Sequence, residues 1–362
     1  KRIYAPHELQ PSTPIHPGEI LKDELEARGL SQRKFAQTIG VSYSVFNEVV
    51  NGKRPITTEY ALKIEAATGI NAEFWRGMQS DYDMQTARHD GKLSAGKPRG
   101  AGLIFVVVFT IAAFLFVPLS TETIIYLILV AAEMITGYMD DASEKPWGEW
   151  KKGILDLVIA IIVAVTYLNF NSNEIYLAFL HKTVAIPELV FGILIVILVW
   201  ASINVTNCAD GVDGLSGTLA LITLGTFYIL DKQLSAQGDF SFVILAFMSC
   251  ILGYLWYNAT PSKLMMGDAG SRAMGIFISI AALKSGSPLL YIPVALVLIL
   301  DGGLGLVKVT LIRVCRIHIM KNIRTPLHDH VRKVSGWSNT QTVFRFAIIQ
   351  IVLSAAVIYG IR

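Results

Sequence analysis

From residue 101 to the end, the chain alternates long apolar runs with short polar breaks. Before residue 101, apolar residues instead recur at helical spacing between charged ones. Nine apolar runs stand out, at roughly 101–118, 123–139, 153–169, 187–203, 214–231, 240–257, 271–284, 287–307 and 343–361. Each is near the ~17–25 residues that a helix needs to cross a bilayer, or slightly short of it. The 271–284 run is the weakest, being short and holding Ser279 and Lys284. So many runs in series leave almost no amphipathic faces for packing inside a soluble protein. The pattern therefore predicts a polytopic membrane helix bundle.

Residues 16–78 carry a different pattern. Pro17-Gly18-Glu19 opens an apolar-periodic helix through Ile20, Leu21 and Leu25. Ser31 starts a second helix, which Gly40 ends; Ser42 caps a third that runs to Val50 and closes at Gly52. Further helices are predicted at about 58–68 and 72–79. A short helix–Gly–helix spacing of this kind is a helix-turn-helix signature. Residues 79–100 are polar, hold Gly91, Gly96 and Gly100, and read as a linker. The fold class is all-α: a small soluble helix-turn-helix domain at 1–88, then an integral-membrane domain at 89–362.

Composition sharpens this division. The whole chain is 16% charged and 53% hydrophobic over 362 residues, against about 25% charged in an average soluble domain. That figure averages 26% over residues 1–100 with about 13% over the rest. The net charge of +3 argues for no nucleic-acid or acidic partner by itself. Cys208, Cys250 and Cys315 are scattered, with no CxxC pair, so neither a disulfide framework nor a zinc site is expected. No apolar leader-like run stands near Lys1, so no signal peptide is expected. When the runs alternate across a bilayer, the breaks at 139–152, 204–213, 258–270 and 308–342 share one side and carry most of the basic residues. The positive-inside rule makes that side, and the soluble domain with it, cytoplasmic.

The same breaks hold the chemistry. Asp140-Asp141 opens the first; Asn204, Asn207, Asp210-Gly211 and Asp213-Gly214 lie in the second; Met266-Gly267-Asp268-Ala269-Gly270-Ser271 forms the third. The last contains Pro326-Leu327-His328-Asp329-His330. Charged residues close to a bilayer core are costly and default to a functional role. Clustered carboxylates repel one another, and a divalent cation offsets that. An oxygen donor set without cysteine favours a hard ion, Mg²⁺ or Mn²⁺. Glycines beside the aspartates let backbone N–H groups approach a phosphate. Together the residues suggest metal-assisted chemistry on a phosphate compound at the membrane surface. Singly, each has a plainer reading: Asp-Gly is a common turn, and His-x-His is a weak metal motif. Asp301-Gly302-Gly303, a break inside a span, leaves a transporter as a rival class.

At these motifs, residues 89–362 resemble the polyprenyl-phosphate N-acetylhexosamine-1-phosphate transferases, and within them the muramoyl-pentapeptide branch. The motifs keep the family's order: His89-x-x-Lys92, Asp140-Asp141, Asn207-x-x-Asp210-Gly-x-Asp213-Gly, Met-Gly267-Asp268-x-Gly-Ser271, and Pro-Leu-His328-x-His330 followed by Gly336-Trp337-Ser338. The resemblance implies transfer of phospho-MurNAc-pentapeptide from UDP-MurNAc-pentapeptide to undecaprenyl phosphate, giving lipid I and UMP in peptidoglycan synthesis. A related enzyme acting on another UDP-N-acetylhexosamine is the alternative within the family. By resemblance, Asp268 would hold Mg²⁺. Asp140 and Asp141 would sit at the lipid phosphate, one of them deprotonating or orienting it, and Asp140, Asp141 and Asp268 would form the catalytic set. Asn204, Asn207, Asp210 and Asp213, with Gly267 and Ser271, would line the substrate site. His328 and His330 would meet phosphate or sugar, and Lys92 and Lys308 phosphates. The resemblance also implies a plasma-membrane homodimer and a site open to nucleoside-type inhibitors.

The chain departs from the family in places. Pro98-Arg99-Gly100-Ala101-Gly102 replaces the usual Pro-Thr-Met-Gly-Gly, and His328-Asp329-His330 replaces a three-histidine run. The family has ten spans, against nine runs here; the missing one would precede His89, where the soluble domain stands. That domain resembles HigA-like antitoxins of the Cro/repressor type, through His16-Pro17-Gly18-Glu19-Ile20-Leu21 and Ser31-Gln32. It reads as a fused unit. If it binds DNA, Ser42, Tyr43, Ser44 and Asn47 would approach bases, with Lys53 and Arg54 on phosphates. Its near-zero net charge speaks against that role. A DNA-binding repressor with a membrane anchor is thus the alternative from a different class.

Overall fold

The computed structural model describes residues 16–80, 82, 97–143, 147–234, 240–313, 316–317 and 323–361. The chain forms two compact units, residues 1–96 and 97–362. The division expected at 88/89, and with it His89 and Lys92, falls outside the described residues.

The described residues of the first unit form a bundle of five helices. α1 spans Pro17–Ala27, α2 Gln32–Thr38, α3 Tyr43–Val50 and α4 Thr58–Thr68, and residues 72–80 form α5. Ser31, Ser42 and Thr57 each cap a helix by accepting a backbone N–H three residues on. Gly69 ends α4 in the left-handed region at φ +75°. Leu21, Leu25, Phe35, Phe46, Val49, Ile56, Ile64 and Trp75 fill the interior. The turn between α2 and α3 sets the two helices against each other, as the sequence pattern predicts.

The second unit is built around one helix. α6 spans Ala101–Phe116, α7 Thr121–Asp141, α8 Glu149–Phe170, α9 Glu188–Ala209, α10 Leu215–Leu234, α11 Phe240–Asn258 and α12 Gly267–Lys284. A two-stranded antiparallel hairpin, β1 Glu174–Leu177 and β2 Lys182–Ala185, joins α8 to α9. α12 is the axis: it packs on α6, α7, α9 and α10, and every residue from 269 to 283 is buried. Its weakness as a membrane span is thereby explained. It carries Asp268, Arg272 and Lys284, yet protein rather than lipid surrounds it. Close backbone approach permits this packing. A Cβ on Gly102 of α6 would lie 2.1 Å from the Gly270 nitrogen, and one on Gly137 of α7 would lie 2.5 Å from the Asp268 carbonyl.

The outer surface is the opposite. Ile104, Leu115, Phe116, Ile128, Leu189, Ile197, Leu252, Trp256, Phe344 and Ile351 are all exposed. Exposed apolar surface on this scale needs lipid. Among the described residues, five helices (α7, α8, α9, α11 and the last, α17, Asn339–Gly360) are long and apolar enough to cross a membrane. The run expected at 287–307 is a broken helix. α13 (Tyr291–Val294) gives way to α14 (Leu296–Leu298), then to a π-helical turn at Ile299–Gly303 and to α15 (Leu304–Arg313), with a bend of 69° at the break. Each predicted run is a helix or this bent pair. The chain is a multi-pass membrane protein.

Candidate active site

At one end of the bundle, the C-terminus of α7 and the N-termini of α8 and α12 meet. Asp140 of α7 forms an ion pair with Lys152 of α8, and Lys152 Nζ lies 3.2 Å from Asp268 Oδ2. Asp140 Oδ1 also accepts the Trp147 N–H at 2.7 Å. Both oxygens of Asp140 are therefore engaged, and the residue is buried. Asp141 is exposed and turns toward the start of α12, where its Oδ2 accepts from Ala269 N–H at 3.5 Å. Gly267, at φ +67°, makes room for it: a Cβ there would sit 2.2 Å from that oxygen. A carboxylate at a helix N-terminus answers unpaired N–H groups and the positive end of the helix dipole. Two of the three acids thus share one lysine, and the third sits on the backbone at the start of α12. Among the described residues, no three His, Cys, Asp or Glu side chains close on a point as a metal cage. Mg²⁺ needs no such cage, because it takes one or two carboxylates plus waters and substrate phosphates. The oxygen-only donors and the excess negative charge fit it.

The second break forms an adjoining wall. Asn207 Nδ2 donates to Ser271 Oγ at 3.1 Å, linking α9 to α12. Asp210, just past the end of α9, accepts from Ser216 Oγ at 2.5 Å. Burial pushes the Asp210 carboxyl up to about 6, and the negative charges of Asp268 and Asp213 push the same way against the Ser216 hydrogen bond and the His328 charge. Asp213 Oδ2 is 3.4 Å from Lys97 Nζ, which also donates to Ser262 Oγ at 2.7 Å. The divergent 98–102 segment is pinned beside them: Met265 N–H donates to the Pro98 carbonyl, while Ala101 and Gly102 donate to the Met265 and Met266 carbonyls.

His328 opens the short helix α16 (Leu327–Lys333) and is buried. Its ring lies over Gly211, where a Cβ would stand 2.2 Å from Nε2. Its Nδ1 is 2.9 Å from Asp301 Oδ2, and its backbone N–H donates to Asp301 Oδ1 at 2.7 Å. The Asp301 break is therefore part of this site. It supplies a partner for His328, which removes the sequence motive for a transporter.

Other residues lie elsewhere than expected. Asn204 donates to Asp156 Oδ2 at 3.1 Å. It belongs to a sealed cluster in which Arg272 pairs with Glu133 at 2.8 Å and with Asp156. Lys308 Nζ is held by the Ile323 carbonyl at 2.7 Å. His330 accepts from the Arg324 N–H through Nδ1 at 3.2 Å. In the first unit, Ser42, Tyr43 and Ser44 are exposed and Asn47 is half-buried, while Arg54 is tied to Glu48 at 3.0 Å. Lys152, Lys97 and Asp301 are absent from the sequence-derived site. A lysine at the start of an apolar run that follows Asp-Asp, and an acid inside one, were the available signals.

Residues 123–286 match glycosyl transferase family 4, and residues 21–75 match a helix-turn-helix family. A phospho-N-acetylmuramoyl-pentapeptide-transferase of Treponema pallidum is 39% identical over 279 residues, covering 72% of this chain and 77% of that protein. The protein of the same name from Rubrobacter xylanophilus is 27% identical over 306 residues, covering 79% and 91%. An addiction-module antidote protein of a HigA family from Coxiella burnetii is 33% identical to part of the chain. That match covers 22% of this chain and 88% of that one, with a TM-score of 0.22.

Proposed function

The chain belongs to the phospho-N-acetylmuramoyl-pentapeptide-transferase family, and on that premise we propose that it transfers phospho-MurNAc-pentapeptide from UDP-MurNAc-pentapeptide to undecaprenyl phosphate. The products are lipid I and UMP, and the site faces the cytoplasm at the bacterial inner membrane. The observation that supports this reading best is the pairing of Asp140 and Asp268 through Lys152, with Asp141 beside them at the start of α12. Two anionic substrates must be brought together there, one from water and one from lipid.

The transfer is a displacement at phosphorus. An oxygen of the lipid phosphate bonds to the sugar-bearing phosphorus of the diphosphate, and the bond to the bridging oxygen breaks to release UMP. Such a step needs alignment and charge neutralisation more than covalent chemistry. Asp140, with both oxygens occupied, is a poor nucleophile, which favours direct attack by the lipid over a phospho-aspartyl intermediate. Asp141 orients the lipid phosphate. Lys152 moves from carboxylate to phosphate as the substrates enter, and His328 contacts the diphosphate beside Gly211. Mg²⁺ would be held by Asp268 with substrate oxygens, and supplies neutralisation of the diphosphate charge. Lys92 completes the phosphate contacts by family resemblance.

The test is UMP release from the two substrates by the purified full chain. Release that requires Mg²⁺ and is abolished in Asp268→Ala supports the reading; release unchanged in that variant, or absent from the unmodified chain, refutes it. The exposed Ser42, Tyr43 and Ser44 of α3 favour a second activity, DNA binding by the first unit. Duplex binding by the full chain that weakens with salt supports it, and no binding at low salt removes it.

A further inference from the structure

Asp301 is fully buried in the π-helical turn of the broken helix. A charge so placed is costly unless it is paired and hydrogen-bonded, and a π turn inside a helix often marks a functional site. Both Asp301 oxygens are spent on one residue. Oδ1 takes the His328 backbone N–H at 2.7 Å, and Oδ1 and Oδ2 lie 3.1 and 2.9 Å from His328 Nδ1. A carboxylate can only accept, so Nδ1 carries the hydrogen. In the neutral ring Nε2 is then the acceptor, and it is the atom aimed at Gly211, next to Asp210.

The rest of the turn is anchored for this purpose. Gly302 lies so close to α9 that a Cβ would come within 2.0 Å of the Val205 carbonyl. That contact fixes Asp301 relative to the end of α9, from which Asn207 and Asp210 project. Asp301, His328 and Gly211 therefore form one rigid line, although Asp301 and His328 are 27 residues apart in sequence.

We propose that Asp301 is the positioning residue for His328. Through Nδ1 it fixes the ring's orientation and tautomer, so that Nε2 is presented to substrate phosphate at the Asp210–Gly211 loop. The role for His328 rests on the function proposed above; its tautomer does not. The groups facing His328 are Asp301 from the broken helix and Asp210 from the α9–α10 loop.

The experiment is ¹⁵N NMR of histidine-labelled full chain, with the His328 signals assigned by their loss in His328→Gln. Above its titration, His328 is expected as the Nδ1–H tautomer. In Asp301→Asn the new carboxamide can donate to Nδ1, so the hydrogen is expected on Nε2. An Nε2–H or averaged tautomer in the unmodified chain overturns the proposal, and that spectrum decides even if the variant does not fold. The same tautomer in both proteins also overturns it. In turnover, Asp301→Asn should lower kcat at least about tenfold and change KM by less than about twofold, as expected for an interaction that matters in the transition state. Combined with His328→Gln it should add no further loss; a fully additive loss overturns the proposal. Because the NMR arm needs no reaction, failure of the positioning role is distinguishable from failure of the transferase assignment.

Discussion

Two acidic clusters lie one helical turn apart on α12, and they are built for opposite purposes. Around Arg272, Glu133 from α7 and Asp156 from α8 are sealed in, with side chains at most 3% exposed. Asn204 from α9 completes that set. Around Asp268, the partner is the more flexible Lys152; the lysine is 30% exposed and Asp268 26%. Arg offers a planar fork that matches carboxylates and stays charged, whereas Lys is a mobile point charge. The sealed cluster ties together α7, α8, α9 and α12, four of the elements that supply site residues. The open cluster leaves charge unbalanced where a cation and phosphates can enter. Acid count does not separate them; access and the identity of the base do.

Substitutions can break this comparison. The largest expected effect is on stability. Arg272→Met strands two buried carboxylates, which costs about 3–5 kcal/mol, and should lower the thermal unfolding midpoint sharply in detergent. A midpoint equal to that of the unmodified chain would mean that the cluster ties nothing. Next, Asp268→Asn should reduce turnover by about 10²–10³-fold, the scale of losing one electrostatic element of a transition-state site. It should leave the unfolding midpoint unchanged or raised, since it relieves repulsion. Equal losses of stability in both variants would erase the distinction.

A smaller effect concerns Asp210, whose carboxyl titrates near 6 in the fold against 3.8 as a free side chain. The folded state therefore binds that proton more tightly than the unfolded chain. Ionisation costs stability progressively as pH rises from about 4 to about 6, by at most about 3 kcal/mol. Asp210→Asn carries no such cost. Its stability relative to the unmodified chain should climb across that window and level off above it. A difference that stays flat with pH would show that burial does not strain this carboxyl.

The contrast also explains what the amino-acid sequence makes legible. Helix caps at Ser31 and Ser42, and the apolar runs, depend on neighbours in sequence and are readable from it. The conjunction of Asp140, Asp268 and the Asp210 break is readable because alternating spans bring their ends to one side. Partners are not. Arg272 meets Glu133 across 139 residues and Asp156 across 116, and Lys152 meets Asp268 across 116. Those pairings are chosen by how α7, α8 and α12 pack, which no local pattern encodes. Asn204 illustrates the resulting error: it lies only three residues before Asn207, but its amide points into the sealed cluster rather than the site. Asp301 was visible as an acid in an apolar run, while its partner was not.

The contacts of Gly102, Gly137 and Gly270 with neighbouring backbone carry a consequence for inheritance. Every missense change in a glycine codon adds a side chain, and at these positions the added carbon would have no space. Alleles at these three tightly packed residues should thus be as damaging as alleles of the carboxylates. A deep mutational scan would rank them together, and only the melting behaviour of the purified variants would sort the spacers from the chemistry.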